Sequence, residues 1–474
     1  MVTENKKNYY RESRDLYLKA LTERAQIYEF TGNYDSSHKD WKTLQYVTKE
    51  PQYRYEYYRG LSVLYERLGR FKSAAILLKK ALLLCKRYPN LLDKAMAQSI
   101  RTRLMLEKGD YLNVIRTGRS LLNKKNIKTL PDNNLNRLLT NIGNAYMAIG
   151  KYEEALHFFL KARHRYKRIN NLEGLSITEN NLTLIYWKRG DYHKALEYSC
   201  SALAIRNKIG HRYGVSATLN NLGLINDEMG RYEEALSYYK RALEIFRELN
   251  DIHGMTIALS NIGSIYSEVD GDVNKALGYY RRSLELSRLT GDTYSVVEAI
   301  IELAEMHWCK KNYRIFEQML RNAGRLIKSI HSEELNTVYL ISLIKMYARK
   351  KLRSKLAILI NRLIRQISIS KNRLLCFEAI ASLINLMYDE NLSCPVPRID
   401  YYTEQMATRL KSVQSPLKRA KILRALVKYY LYIGDNRRAT MYYRLWETVV
   451  NKFRIKAHNP EINKIGARIR NCKK

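Results

Sequence analysis

Proline is scarce: seven in 474 residues, with none between Pro131 and Pro395. Proline locks φ and removes an N–H, so a long stretch without it favours helices joined by short Gly or Asn turns. Cysteine is also scarce. Cys85, Cys200, Cys309, Cys376, Cys394 and Cys472 are scattered and form no Cys-x-x-Cys pair, which excludes a zinc ribbon and a dithiol redox motif. No run of about 18 apolar residues occurs, so no membrane span is expected. The opening MVTENKKNYYRESRD is polar and lacks the apolar core of a signal peptide. The expected location is the cytoplasm, with reduced thiols.

Catalytic signatures are missing too. AIGKY, residues 148–152, has no glycine upstream to make a phosphate loop, since Ala145 stands there. No His-Glu-x-x-His occurs, and the nine histidines stand singly. The paired carboxylates Glu153/Glu154 and Glu233/Glu234 fall where the first turn of a helix is expected, and there they offset the helix dipole. No catalytic group, metal or cofactor is expected, and the chain reads as a non-enzyme.

What is present is bulk and basic charge. Hydrophobic residues make up 46%, which excludes global disorder, and the length calls for several domains or a repeat array. The formal charge of +37 is uneven: residues 1–130 carry +14, residues 131–310 carry zero, and residues 311–474 carry +23. Basic ends suit nucleic acid, an anionic surface or an acidic protein, and equally a plain solvated helical surface.

A search for internal periods gives the architecture. TNIGNAYMAIGKYEEALHFFLKA (140–162), NNLTLIYWKRGDYHKALEYSCSA (180–202), NNLGLINDEMGRYEEALSYYKRA (220–242) and SNIGSIYSEVDGDVNKALGYYRRS (260–283) align. Asn141, Asn181, Asn221 and Asn261 are spaced by 40 residues. Gly150, Gly190 and Gly230 keep the same step, and Gly271 comes one residue late. Each of the first three glycines is followed by Tyr152, Tyr192 or Tyr232, then by Ala155, Ala195 or Ala235, then by Ala162, Ala202 or Ala242. Apolar residues at three- and four-residue steps on both sides of the glycine predict a helix–turn–helix pair. The glycine ends the first helix, and the alanines let two backbones approach. Such a pair cannot bury both faces alone and must stack on copies of itself.

This pattern resembles the tetratricopeptide repeat in a 40-residue form, like the arrays of spindle-orientation adaptors, bacterial peptide-sensing regulators and the helical arms of signalling ATPases and cyclases. The resemblance implies an all-α fold: a right-handed α-solenoid of about eleven stacked pairs. It is regular across 131–290, divergent in 16–123, and divergent and basic in 291–450. Residues 1–15 and 451–474 read as a polar and a basic tail. KKNIKTLPDNN (124–134) and SCPVPR (393–398) read as loops between pairs.

The resemblance further implies a non-catalytic scaffold in signalling or regulation, with a protein or peptide partner in the groove lined by each first helix. Residues three and four from each ladder asparagine share its face. The expected binding residues are Asn141, Asn144, Asn180, Asn181, Leu184, Trp187, Asn220, Asn221, Leu224, Asp227 and Asn261. An asparagine amide brackets one peptide unit with a donor and an acceptor. Kinesin light chains resemble this chain in carrying such ladders. Two roles fit the ladder: holding a peptide backbone, or tying neighbouring helices together. Asn144, Asn180 and Asn220 are less expected from the repeat alone. The rival reading uses the basic C-terminal third, where tyrosines interleave with Lys and Arg, to bind nucleic acid; core packing accounts for the same tyrosines. The oligomeric state is not legible.

Overall fold

The computed structural model describes residues 2–31, 33–67, 71–88, 102, 105–106, 109–123, 132–330, 332–370, 372–389 and 396–471. Among them are 22 α-helices and no strand. The first five are α1 (Val2–Thr31), α2 (Tyr34–Val47), α3 (Pro51–Arg67), α4 (Phe71–Arg87) and α5 (Tyr111–Leu122). The regular stretch holds α6 (Asp132–Ala148), α7 (Tyr152–Arg168), α8 (Leu172–Lys188), α9 (Tyr192–Lys208), α10 (Arg212–Glu228), α11 (Tyr232–Glu248), α12 (Ile252–Ile265) and α13 (Val273–Thr290). There follow α14 (Thr293–Cys309), α15 (Tyr313–Leu326), α16 (Glu333–Arg349), α17 (Arg353–Ile369) and α18 (Arg373–Asp389). The last are α19 (Ile399–Arg409), α20 (Pro416–Tyr432), α21 (Asn436–Lys452) and α22 (Asn459–Asn471). The chain is an α-solenoid of stacked hairpins.

The turn inside each hairpin follows from its glycine. Gly150, Gly190 and Gly230 have φ of 74°, 77° and 77°. The N–H three residues past each helix reaches back to its last turn: Lys151 to Tyr146 O (2.9 Å), Asp191 to Tyr186 O (2.9 Å) and Arg231 to Asn226 O (2.8 Å). That left-handed cap satisfies carbonyls the helix leaves open. Where the repeat loses its glycine, Lys311 and Lys351 take the same conformation at φ 60° and 55°. The six repeat alanines are all fully buried. A stacked ring pair closes hairpin after hairpin: Tyr146 on Phe158, Tyr186 on Tyr198, Tyr266 on Tyr279 and Tyr430 on Tyr442, with centroids 5.4–5.6 Å apart.

The late Gly271 has a physical cause. Residues Tyr266–Asp270 form a π-helical turn that absorbs one inserted residue before the left-handed glycine at φ 73°. A π turn closes i→i+5 bonds and so takes up one more residue than an α turn.

Two compact units emerge. Unit 1 is residues 1–225 with 241–254, and unit 2 is residues 226–240 with 255–474. This division differs from the boundaries expected near 124–130 and 290. In unit 1, Trp41, Leu44, Tyr57, Tyr58 and Leu61 form one core that also takes in Leu249, with Tyr213 and Ile245 packed against it. A second core joins α6, α7 and α8 through Ile142, Phe159, Ala162 and Leu182. In unit 2, Leu284, Val297, Ile301, Leu303 and Ile327 form the core around α13 and α14. Trp446 is sealed in, its indole N–H donating to His458 Nδ1 at 3.0 Å.

Two expectations about the ends change. Residues 2–15 are not a tail; they are the first half of α1. The basic segment 451–474 holds α22, which buries Ile462, Ile465 and Ile469. Those three share one helix face, a stripe too short to stand out beside the basic charge. Most of the two expected loops, 124–131 and 393–395, lies outside the described residues, as do Cys394 and Cys472.

Candidate functional site

The eleven expected binding residues divide between the units: Asn141 through Leu224 lie in unit 1, and Asp227 and Asn261 in unit 2. In unit 1 the ladder is a chain of amide-to-amide bonds. Asn181 Nδ2 donates to Asn144 Oδ1 at 3.2 Å, and Asn221 Nδ2 donates to Asn180 Oδ1 at 2.9 Å. One step earlier, Asn141 Nδ2 donates to Thr102 Oγ1 at 3.0 Å. Each bond crosses from one repeat to the next, and each contributes about 1 kcal/mol. A head-to-tail amide pair joins one NH2 group to one oxygen, which leaves the other amide's oxygen and NH2 group outside the bond. Asn144, Asn180, Asn181 and Asn221 are all half-buried.

Asn180 is further fixed by Arg206, which donates to its Oδ1 at 3.3 Å. That guanidinium is buried and also donates to the Gly214 carbonyl at 2.9 Å and to the Thr218 hydroxyl. Leu184, Trp187 and Leu224 are half-buried beside the amides, and Ile177 is 39% exposed. Lys188 Nζ lies over the Trp187 ring at 4.6 Å. Asn220 stands apart: it is buried, with 8% of its surface exposed. The polar step on this face is therefore carried by Asn180 and Asn221, and Asn220 belongs to the packed interior.

In unit 2 the corresponding face is acidic. Asp227 and Glu228 from the end of α10, Glu268 from the π turn, Glu302 and Glu305 from α14 and Glu378 from α18 lie within reach of one another's charge. Burial, reinforced by Glu228 and Glu268, raises Asp227 to about 7. Burial, then Glu268 and Glu305, raises Glu302 to about 8. Burial likewise raises Glu378, against the pull of Lys421 and Lys418. The compensating cations come from α20, far along the chain. Lys418 bonds Glu228, and Lys421 Nζ lies 2.7 Å from Glu268 Oε1. Burial works to lower both lysines, but Glu228 and Glu378 outweigh it for Lys418, and Glu268 and Glu378 for Lys421, so both are raised overall. Asn261 is half-buried on α12.

Internal partners take up part of the C-terminal basic and aromatic load. Lys428 is 1% exposed and joins Asp389 at 2.8 Å and Glu461. Arg424 Nη1 lies 3.2 Å from Glu461. Tyr429 bonds Asp400, Tyr430 stacks on Tyr442, and Tyr443 is buried. Burial first, then Arg424, Lys421 and Lys428, holds His458 neutral with a pKa of about 2. At this face the one-residue delay of Gly271 marks the π turn, and Asn226 stands beside Asp227 where the sister repeats have Tyr146, Tyr186 and Tyr266. Among the described residues no group of His, Cys, Asp and Glu is placed to hold a metal, and no helix is long and apolar enough to cross a membrane.

A family model for the tetratricopeptide repeat matches residues 134–208 and 175–248, and a second one matches 258–294. The centre of the chain is made of tetratricopeptide repeats. The fold is shared with a Rap protein complexed with competence and sporulation factor: TM-score 0.55, 12% identity, covering 76% of this chain and 99% of that one. It is also shared with the apo quorum sensor NprR from B. thuringiensis, at TM-score 0.51 and 17% identity, covering 84% and 97%. NprR in complex with its cognate peptide NprX gives TM-score 0.51 and 18% identity, covering 77% and 98%. At these identities the likeness is one of fold. No curated protein matches this chain in sequence.

Proposed function

We propose that this tetratricopeptide array is a non-catalytic interaction scaffold, acting in signalling or regulation, that holds an extended peptide on the amide ladder of unit 1. The observation that carries the reading is the pairing of Asn181 with Asn144 and Asn221 with Asn180. Each pair is locked by its own bond, so its remaining donor and acceptor are oriented before a ligand arrives, and little entropy is lost on binding. One donor and one acceptor per repeat match the backbone of an extended chain and not its side chains. Leu184, Leu224, Ile177 and Trp187 supply the apolar contacts between the steps. Two of the solved structures that share the fold are complexes, one of them with a peptide, which supports the reading by analogy of fold.

The experiment is a peptide-array screen followed by rebinding of the hits in solution. Asn144→Ala/Asn180→Ala should weaken a hit by roughly tenfold or more, the effect of two lost hydrogen bonds. N-methylation of the hit's backbone should weaken it comparably. Unchanged affinity in both arms would end the ladder reading. The nucleic-acid reading takes second place because Lys418, Lys421, Arg424 and Lys428 are bonded to carboxylates of the chain itself. It predicts retention on heparin with a steep salt slope.

A further inference from the structure

The end of unit 2 returns to its beginning. Lys418 bonds Glu228 across 190 residues, Lys421 bonds Glu268 across 153, and Lys456 Nζ lies 3.3 Å from Asp270 across 186. Two of the three acidic partners, Glu268 and Asp270, ride on the π turn. The backbone is bare where the segments of this seam approach. A Cβ on Gly230 would lie 2.5 Å from the Phe453 ring and 2.8 Å from Pro416, and one on Gly271 would lie 3.2 Å from the Ala457 backbone. Both glycines already have left-handed φ, so their repeat turns double as landing points.

The seam joins three ion pairs to apolar contacts, with Pro416 and the Phe453 ring seated close to Gly230. The cores around α13, α14 and α15 contain no residue of α20 or α21. The charged groups are partly wet: side-chain exposure is 27% for Lys418, 31% for Lys421 and 66% for Lys456. Ion pairs that reach solvent are screened by salt, partly buried ones less so, whereas apolar junctions do not respond to screening. The Arg454–Glu233 pair at 3.8 Å is fully in solvent and adds nothing but position.

We propose that this seam is a releasable clasp: α20 and the turn after α21 are held over Asp227, Glu228 and Glu268 by ion pairs, and they let go when those charges are screened or reversed. Closed, the clasp is an autoinhibitory contact, because it covers the acidic stretch of the inner face in unit 2. That the uncovered face then receives a partner rests on the scaffold reading above; the opening does not. The inserted residue in the π turn fits this role, since it projects Glu268 and Asp270 toward the returning segment in one repeat only.

Hydrogen exchange on the full chain tests it. Raising salt on the unmodified protein should speed exchange at 226–232 and 416–424 by roughly tenfold, leaving the apolar core of unit 1, residues 53–64, unchanged. Lys418→Glu/Lys421→Glu should do the same at low salt, and adding Glu228→Lys/Glu268→Lys should restore the slow rate. Lys418→Gln/Lys421→Gln serves as the gentler pair, opening the seam with α20 still helical. Two results would overturn the proposal: exchange at the seam indifferent to salt and to reversal, or melting of α20 and α21 that the charge swap fails to rescue. Peptide binding is read separately through Asn144 and Asn180, so either reading can fail with the other standing.

Discussion

Unit 1 and unit 2 are built from the same hairpin, yet each brings distant segments together by different chemistry. In unit 1, Leu249 is buried in a core with Trp41, Tyr57 and Leu61, and Tyr213 and Ile245 pack on it. In unit 2, Lys418, Lys421 and Lys456 meet Glu228, Glu268 and Asp270. Their inner faces differ in the same sense, amides in one and carboxylates in the other. The difference teaches how a repeat array assigns roles without changing its fold. The apolar positions fix the stacking and are shared, so identity is written on the polar positions of each first helix. An apolar closure is permanent under any solution condition that keeps the chain folded, and an ionic one is conditional.

The largest effect that would break the comparison is at the apolar closure. Leu249→Ala removes a side chain that is 3% exposed and should cost about 3 kcal/mol, at low and high salt alike. Urea unfolding followed by exchange in residues 34–64 measures it. If that loss fell strongly with salt, the contrast between the two closures would vanish. Next in size is Arg206→Ala, which removes a buried donor from the Gly214 carbonyl, the Thr218 hydroxyl and Asn180 Oδ1 and should cost about 2 kcal/mol. It should also weaken a ladder-bound peptide, because Asn180 loses the group that orients it. A stability loss with unaltered peptide affinity would confine Arg206 to packing.

The third effect concerns pH and belongs to unit 2. Glu302 faces Glu268, Glu298, Glu305, Lys421 and Tyr280, and its folded pKa of about 8 exceeds the model-peptide value of 4.5. The folded state keeps its proton while the unfolded chain releases one, so stability falls as pH rises through that window and is lowest above it. Asp227 and Glu298, each raised to about 7 chiefly by burial, push the same way. Glu302→Gln should flatten the profile, gaining on the order of 1 kcal/mol at pH 9 and nothing at pH 4. Melting temperature against pH, in both proteins, checks it. Unit 1 presents neutral amides on this face and should show no matching slope in exchange.

Much of this was legible in the sequence, for a physical reason. The 40-residue step, the glycine turns and the small alanines are local or short-range requirements of one hairpin, so they recur in the letters. Even the lost glycines were visible, and Lys311 and Lys351 show that the turn survives them. The amide ladder was legible as residues, and its bonds follow from one repeat lying on the next. What could not be read was the partnership of Lys418 and Lys421 with Glu228 and Glu268. Ion pairs across more than 150 residues leave no periodic mark, and a net charge of +23 in the C-terminal third hides which lysines are already spoken for. Asn220 is buried although Asn180, at the same position one repeat earlier, is half-buried, a difference that the repeat pattern does not carry.

Asn226 is where the two chemistries meet, and its replacement gives the smallest and most discriminating effect. In sister repeats the equivalent tyrosine stacks on a ring twelve or thirteen positions later: Tyr146 on Phe158, Tyr186 on Tyr198, Tyr266 on Tyr279. Here the ring position is occupied by a buried asparagine next to Asp227 and Glu228, with Tyr238 standing where the second ring would be. Asn226→Tyr should regain a ring pair worth about 0.5–1 kcal/mol and lose a comparable amount by crowding the acidic side chains. The net stability change should therefore stay within about 1 kcal/mol. Exchange at 416–424 should nevertheless quicken, because the ring displaces Glu228 from Lys418. Unaltered exchange there would mean that Asn226 serves only its own hairpin, and the polarity of this repeat would need a cause other than the clasp.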